Sequence, residues 1–120
     1  NWSEFNFDIY LESFSRNIKF LDQQKRIWIW GGGNKGVLFM KYLSDISPQI
    51  FQKVIGVVDI NERKQTLYTP STKFLIISPN QMFKLCDESD FILVVNPTYL
   101  NEVRGDLKKN LPFQINVGTI

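Results

Sequence analysis

The chain has 120 residues, 43% hydrophobic and 22% charged, the size and balance of one globular domain around one core. It contains 0 His and 1 Cys, which excludes a histidine general base, a Ser-His-Asp or Cys-His relay, a histidine-bearing zinc site and an internal disulfide. A net charge of +2 gives no argument for nucleic acid, and no apolar run approaches the roughly 20 residues of a bilayer span, so the expectation is a soluble, cytoplasmic protein without a nucleic-acid or membrane partner.

Ser3 can cap a first helix whose Phe7, Leu11, Phe14, Ile18 and Leu21 step by four and three. Arg26 to Trp30 then reads as a strand running into glycines, and a helix from about Asn34 carries Val37, Leu38, Lys41, Tyr42 and Ile46 on a mixed face until Ser47-Pro48 stops it. Val54 to Val58 is a second strand, apolar enough to be buried on both faces. From Asp59 to Lys73 the chain is polar and without helical period, a loop about as long as ordered loops become. Phe74 to Ile77 is a third strand, and Ser78-Pro79-Asn80-Gln81 opens a helix with a capping box and proline at its first position. Phe91 to Val95 is a fourth strand. A helix with Leu100, Val103 and Leu107 on one side follows, and Phe113 to Val117 is a last strand. Alternating strands and helices predict an α/β fold: a Rossmann-like, doubly wound, parallel five-stranded sheet of order 3-2-1-4-5 with an extra N-terminal helix, residues 1–120 forming a single domain.

The chemistry-bearing residues fall at the sheet edge where this order reverses, the place where such folds bind ligands. Gly31-Gly32-Gly33-Asn34-Lys35-Gly36 satisfies G-x-G-x-x-G between a strand and a helix. In that context Gly31 permits the tight turn, Gly33 lets a phosphate approach the backbone and Gly36 lets helix and strand pack closely. The helix start offers N–H groups to an anion, and Lys35 adds a charge or points to solvent. A strand-to-helix turn needs glycine with or without a ligand, so both origins stay open. Asp59 stands where dinucleotide folds place the acid that holds a ribose hydroxyl, and Asp59-Ile60-Asn61 is equally ordinary turn chemistry. Asn96 caps the last helix or touches a ligand. Tyr99 stacks on a base, bonds a sugar, or buries its ring. Lys64, Gln65, Tyr68 and Thr72 close over a polar ligand or stay solvated. Trp28 and Trp30 are expected in the core and Cys86 is expected as a buried structural thiol. Ile29 and Trp30 occupy the stretch where an S-adenosylmethionine site usually has an acid, so no methyl donor is expected in this domain.

Trp30 to Gly36, Val57-Val58-Asp59-Ile60-Asn61, Lys64-Gln65, Pro70-Ser71-Thr72, Ile77-Ser78-Pro79 and Asn96-Pro97-Thr98-Tyr99 together resemble the C-terminal domain of S-adenosylmethionine-dependent sugar C-methyltransferases, in that family's order and across most of the chain. The departures are Ser71, where the family usually has glycine, and Glu62, where proline is frequent; both bear on the shape of the loop. The resemblance implies a three-part enzyme of bacterial deoxysugar biosynthesis. Zinc and S-adenosylmethionine belong to upstream domains, and this Rossmann-like part binds a nucleotide sugar without catalysing the reaction. It also implies that the upstream methyl-donor domain is the partner of this one. Because the sequence opens on Asn1 rather than Met, it is expected to be a piece of that longer protein. The substrate-binding candidates are Gly31, Gly33, Asn34, Lys35, Asp59, Asn61, Asn96 and Tyr99, with no catalytic residue and no metal ligand. The glycine turn and the Asp-ended strand also look like the N-terminal domain of sugar O-acyltransferases. A non-catalytic NAD or nucleotide module and a pure inter-domain interaction module are the remaining alternatives.

Overall fold

A computed structural model of the chain describes residues 18–119. The stripe of the expected first helix from Phe7 to Phe14 lies outside them, while residues 18–22 are helical and bury Leu21. The elements that follow are β1 (Ile27–Trp30), α1 (Asn34–Ile46), α2 (Pro48–Phe51), β2 (Val54–Val58), β3 (Ile76–Ile77), α3 (Pro79–Leu85), β4 (Phe91–Val94), a 3-10 turn (Pro97–Tyr99), α4 (Leu100–Asn110) and β5 (Asn116–Thr119). The strands form one sheet of order β3-β2-β1-β4-β5 with every pairing parallel. The doubly wound, Rossmann-like arrangement follows from the alternation of elements, since parallel neighbours need crossovers and these helices supply three of the four.

Both sheet faces are covered, which is why β1 and β4 are apolar at every position. Ile27, Ile29, Leu93, Phe39, Met40 and Leu43 belong to the cluster on one face. Trp28, Trp30, Ile92, Val94, Val103 and Leu107 belong to the cluster on the other. The expected packing role of both tryptophans holds, and Gly56 explains how Trp28 fits: a Cβ there would overlap the indole ring.

Several boundaries move, each for a local reason. The buried stripe of α1 is Gly36, Phe39, Met40 and Leu43, not the expected mixed face, and Ile46 is exposed. Gly36 sets this rotation, because a Cβ on it would overlap the Gly31 carbonyl oxygen. Ser47-Pro48 ends α1 as expected but also begins α2, with proline at its first turn. The third strand shortens to Ile76–Ile77 because Phe74 to Ile76 bond outward instead. Thr69 N–H donates to the Phe74 carbonyl (2.8 Å), Ile76 N–H to Leu67 (2.8 Å) and Thr66 N–H to Ile76 (2.9 Å). The expected structureless loop therefore contains an antiparallel ribbon, with Tyr68 opposite Leu75, that covers the outer edge of β3. The last strand begins at Asn116 rather than Phe113, since Phe113 and Ile115 pack against the Trp28 cluster before the ladder with β4 starts.

At the opposite end of the sheet from the glycines, Asp90 is fully buried and saturated. Arg26 Nε donates to Oδ1 (2.7 Å), while Arg26 Nη2 (3.2 Å), Trp28 Nε1 (3.0 Å) and the Asp87 N–H (2.9 Å) donate to Oδ2. Four donors make this buried carboxylate a structural tie between β1 and the turn before β4. Cys86 is only half-buried, because it caps α3 rather than lying within it. Burial, then the Asp90 charge, pushes its thiol up from the ordinary value.

Candidate functional site

At the carboxyl ends of β1, β2 and β4 the chain leaves the sheet in three loops that enclose a cleft of about 500 Å³. The glycine turn forms one wall. Gly31 takes φ +125°, a conformation open to glycine but rarely to other residues, and its N–H donates to the Val58 carbonyl (2.7 Å), stitching the turn to β2. Gly33 is extended and caps α1 without any side-chain hydrogen bond, and a Cβ there would meet nothing within 4 Å. The start of α1 is therefore open beside Gly33, with no acidic residue in its first turn.

Asp59 ends β2 and ties two loops together. Its Oδ2 accepts from Gly32 N–H (2.9 Å) and its Oδ1 from Asn61 N–H (2.9 Å). The Asn61 side chain accepts from Arg63 N–H (3.0 Å), and Gln65 Nε2 donates to the Asp59 carbonyl (2.9 Å). The acid at the ribose-binding spacing thus fixes the glycine turn, and Asn61 makes an ordinary turn bond. On the third side, Asn96 accepts from Thr98 N–H through Oδ1 (3.1 Å) and starts the 3-10 turn with Pro97 at its first position. That geometry is the capping role, performed on a 3-10 turn that leads into α4. Tyr99 is half-exposed rather than buried against the sheet.

Gly31, Gly33, Asn34, Lys35, Asp59, Asn61, Asn96 and Tyr99 all line this one cleft. Of the loop candidates, Gln65 is tied to the Asp59 carbonyl, Thr72 bonds Thr69 (2.7 Å between hydroxyls) within the ribbon, and Tyr68 projects from it; none of these lines the cleft, and neither does Lys64. Sequence reasoning missed the floor, Trp30, Val94, Val95 and Val103, and two acids, Glu102 and Asp106. The acids lie three and seven residues after Tyr99, the spacing of one helix face. That spacing was visible in the sequence, but a charged residue on a polar helix ordinarily reads as solvated. The cleft therefore carries one cation, Lys35, and one carboxylate, Asp59, on the glycine side and two carboxylates, Glu102 and Asp106, on the α4 side, above an apolar floor.

No curated protein matches the chain. Among solved structures it is similar to UDP-D-quinovosamine 4-dehydrogenase from Vibrio fischeri, at 20% identity and a TM-score of 0.58 over 81% of this chain and 78% of that one. It is also similar to RSP, a Rex-family repressor, at 18% identity and a TM-score of 0.59 over 97% of this chain and 61% of that one. RSP in complex with β-NADH gives 17% and 0.57. The chain thus spans about three fifths of the repressor's length. These likenesses are in fold. A family model described as the C-methyltransferase C-terminal domain matches residues 11–113, so the chain belongs to the C-methyltransferase C-terminal domain family.

Proposed function

We propose that this domain holds the nucleotide-linked keto-deoxysugar that its parent enzyme methylates on carbon, using S-adenosylmethionine and zinc carried by upstream domains. The observation behind this reading is the single cleft at the switch point, lined by the glycine turn and the start of α1, of a chain in the C-methyltransferase C-terminal family. The diphosphate sits over Gly33 and the start of α1, where backbone N–H groups and Lys35 supply donors and positive charge. The base or sugar lies on the apolar floor beside Tyr99, and hydroxyls turn toward Glu102 and Asp106, which accept hydrogen bonds and repel phosphate. Asp59 and Asn61 hold the loops through one backbone bond to each side-chain oxygen, and the acceptor capacity left on them serves ligand hydroxyls at the same cleft. The proton-abstracting base for carbon methylation belongs to the upstream part, and this domain is not catalytic. The sugar O-acyltransferase alternative is set aside by the family match.

Amide shifts on titrating the chain with dTDP, a dTDP-sugar, NAD and S-adenosylmethionine test the reading. The expected result is a response to dTDP and the dTDP-sugar at residues 31–36 and 96–99, with none to S-adenosylmethionine. Preferential binding of NAD, whose reduced form is bound in one RSP structure, would replace it with a dinucleotide module. Methyl transfer by the isolated chain would overturn the non-catalytic role, and silence toward every ligand would favour a pure interaction module.

A further inference from the structure

The two edges of the sheet are treated in opposite ways. The outer backbone of β3 is bonded by the ribbon at residues 66–69. β5 pairs with β4 on one side, and its other side has no backbone partner among the described residues. Solitary domains blunt such an edge with charge, proline or a covering element, yet residues 111–120 contain no charged residue and the only proline, Pro112, precedes β5.

Both faces beside this edge are grooved. On the α4 side a groove of about 540 Å³ runs along Leu107, Leu111, Phe113, Ile115 and Val117. On the other side a shallower groove of about 280 Å³ is floored by Phe91, Leu93 and Gly118. Gly118 keeps it open, since a Cβ there would come within 3.3 Å of the Phe91 ring. An element that fills both grooves and satisfies the edge together has to be extended, because only a strand sends successive side chains to opposite faces. Arg104 and Lys108 rim the larger groove, and neither forms an ion pair among the described residues. A second copy paired edge to edge would set these cations against themselves, whereas an acidic segment would complement them.

We infer that β5 is a docking edge for an extended segment with alternating apolar residues and acidic ends, added to the sheet as a sixth strand. The test uses the whole chain with a fluorescein-labelled peptide alternating valine and threonine between terminal glutamates, against the same peptide ending in lysines. Saturable, salt-sensitive binding of the acidic peptide is expected, with slowed hydrogen exchange at residues 115–119. The surface variant Arg104→Gln/Lys108→Gln should weaken that binding by about ten-fold and keep a single cooperative unfolding transition like the parent's. Equal binding of the lysine-ended peptide, unchanged exchange at 115–119, or full affinity in the double variant would overturn the inference. So would light scattering that shows a dimer whose 115–119 amides are protected without any peptide, which would make the occupant a second copy.

Discussion

Ser71 shows how one side chain reports on a whole loop. It adopts φ +65°, and Thr66 and Lys73 in the same loop adopt +69° and +62°. An L-residue in this region is disfavoured by about 1–2 kcal/mol, and glycine escapes that cost while losing about 0.5–1 kcal/mol of chain entropy on folding. The ribbon keeps the strain because its hydrogen bonds leave no alternative: Thr69 is buried, and its Oγ1 accepts from Phe74 N–H (2.9 Å). Ser71→Gly is therefore expected to be neutral or to stabilise by up to about 1 kcal/mol, read as a rise in the urea midpoint at constant slope. A clear fall in the midpoint would mean that the hydroxyl, rather than the backbone, matters at this position.

At the scale of elements, legibility tracked the range of the interactions. Ser78 Oγ accepts from Gln81 N–H (3.2 Å), and Gln81 Oε1 accepts from Ser78 N–H (2.9 Å). The whole device lies within four residues and could be read directly. Ser78→Ala should cost about 1 kcal/mol, with amide exchange accelerated in α3 before it changes in β1 or β4. Uniform acceleration throughout the sheet would show that α3 has no independent fraying. The β2 limits were also legible, because a strand buried on both faces announces itself as an unbroken apolar run. The ribbon was not. Its bonds join residues 66–69 to 74–76 through a polar sequence with no period, and its strained turn uses residues that carry no glycine signal. The cleft divides in the same way: the glycine turn, Asp59 and Asn96 sit at loop starts fixed by the strand pattern, while Glu102 and Asp106 reach the cleft only through the placement of α4 on the sheet.

For the molecule as a whole, one sheet separates two apolar clusters, so the question is whether the halves melt together. Leu43 is buried in the cluster on one face, and Trp28 and Trp30 belong to the cluster on the other. The strands alternate their side chains between both clusters: Ile27 and Ile29 point one way, Trp28 and Trp30 the other. Neither cluster can be lost without loosening the strands that supply both, and the Asp90 tie binds β1 to the turn before β4 at the far end of the sheet. Leu43→Ala should cost about 2–5 kcal/mol, a large share of the roughly 5–15 kcal/mol that holds a typical domain together. In a Trp2→Phe background, tryptophan fluorescence from the opposite face and far-UV circular dichroism should move to the same lowered urea midpoint. Coincidence is the mark of a single cooperative unit. If the variant shifted the dichroism midpoint alone and left the fluorescence midpoint in place, the two faces would be separate folding units joined by a passive sheet. The cleft would then be built across their boundary, since α1 packs on the Leu43 face while Val103 of α4 packs with the tryptophans.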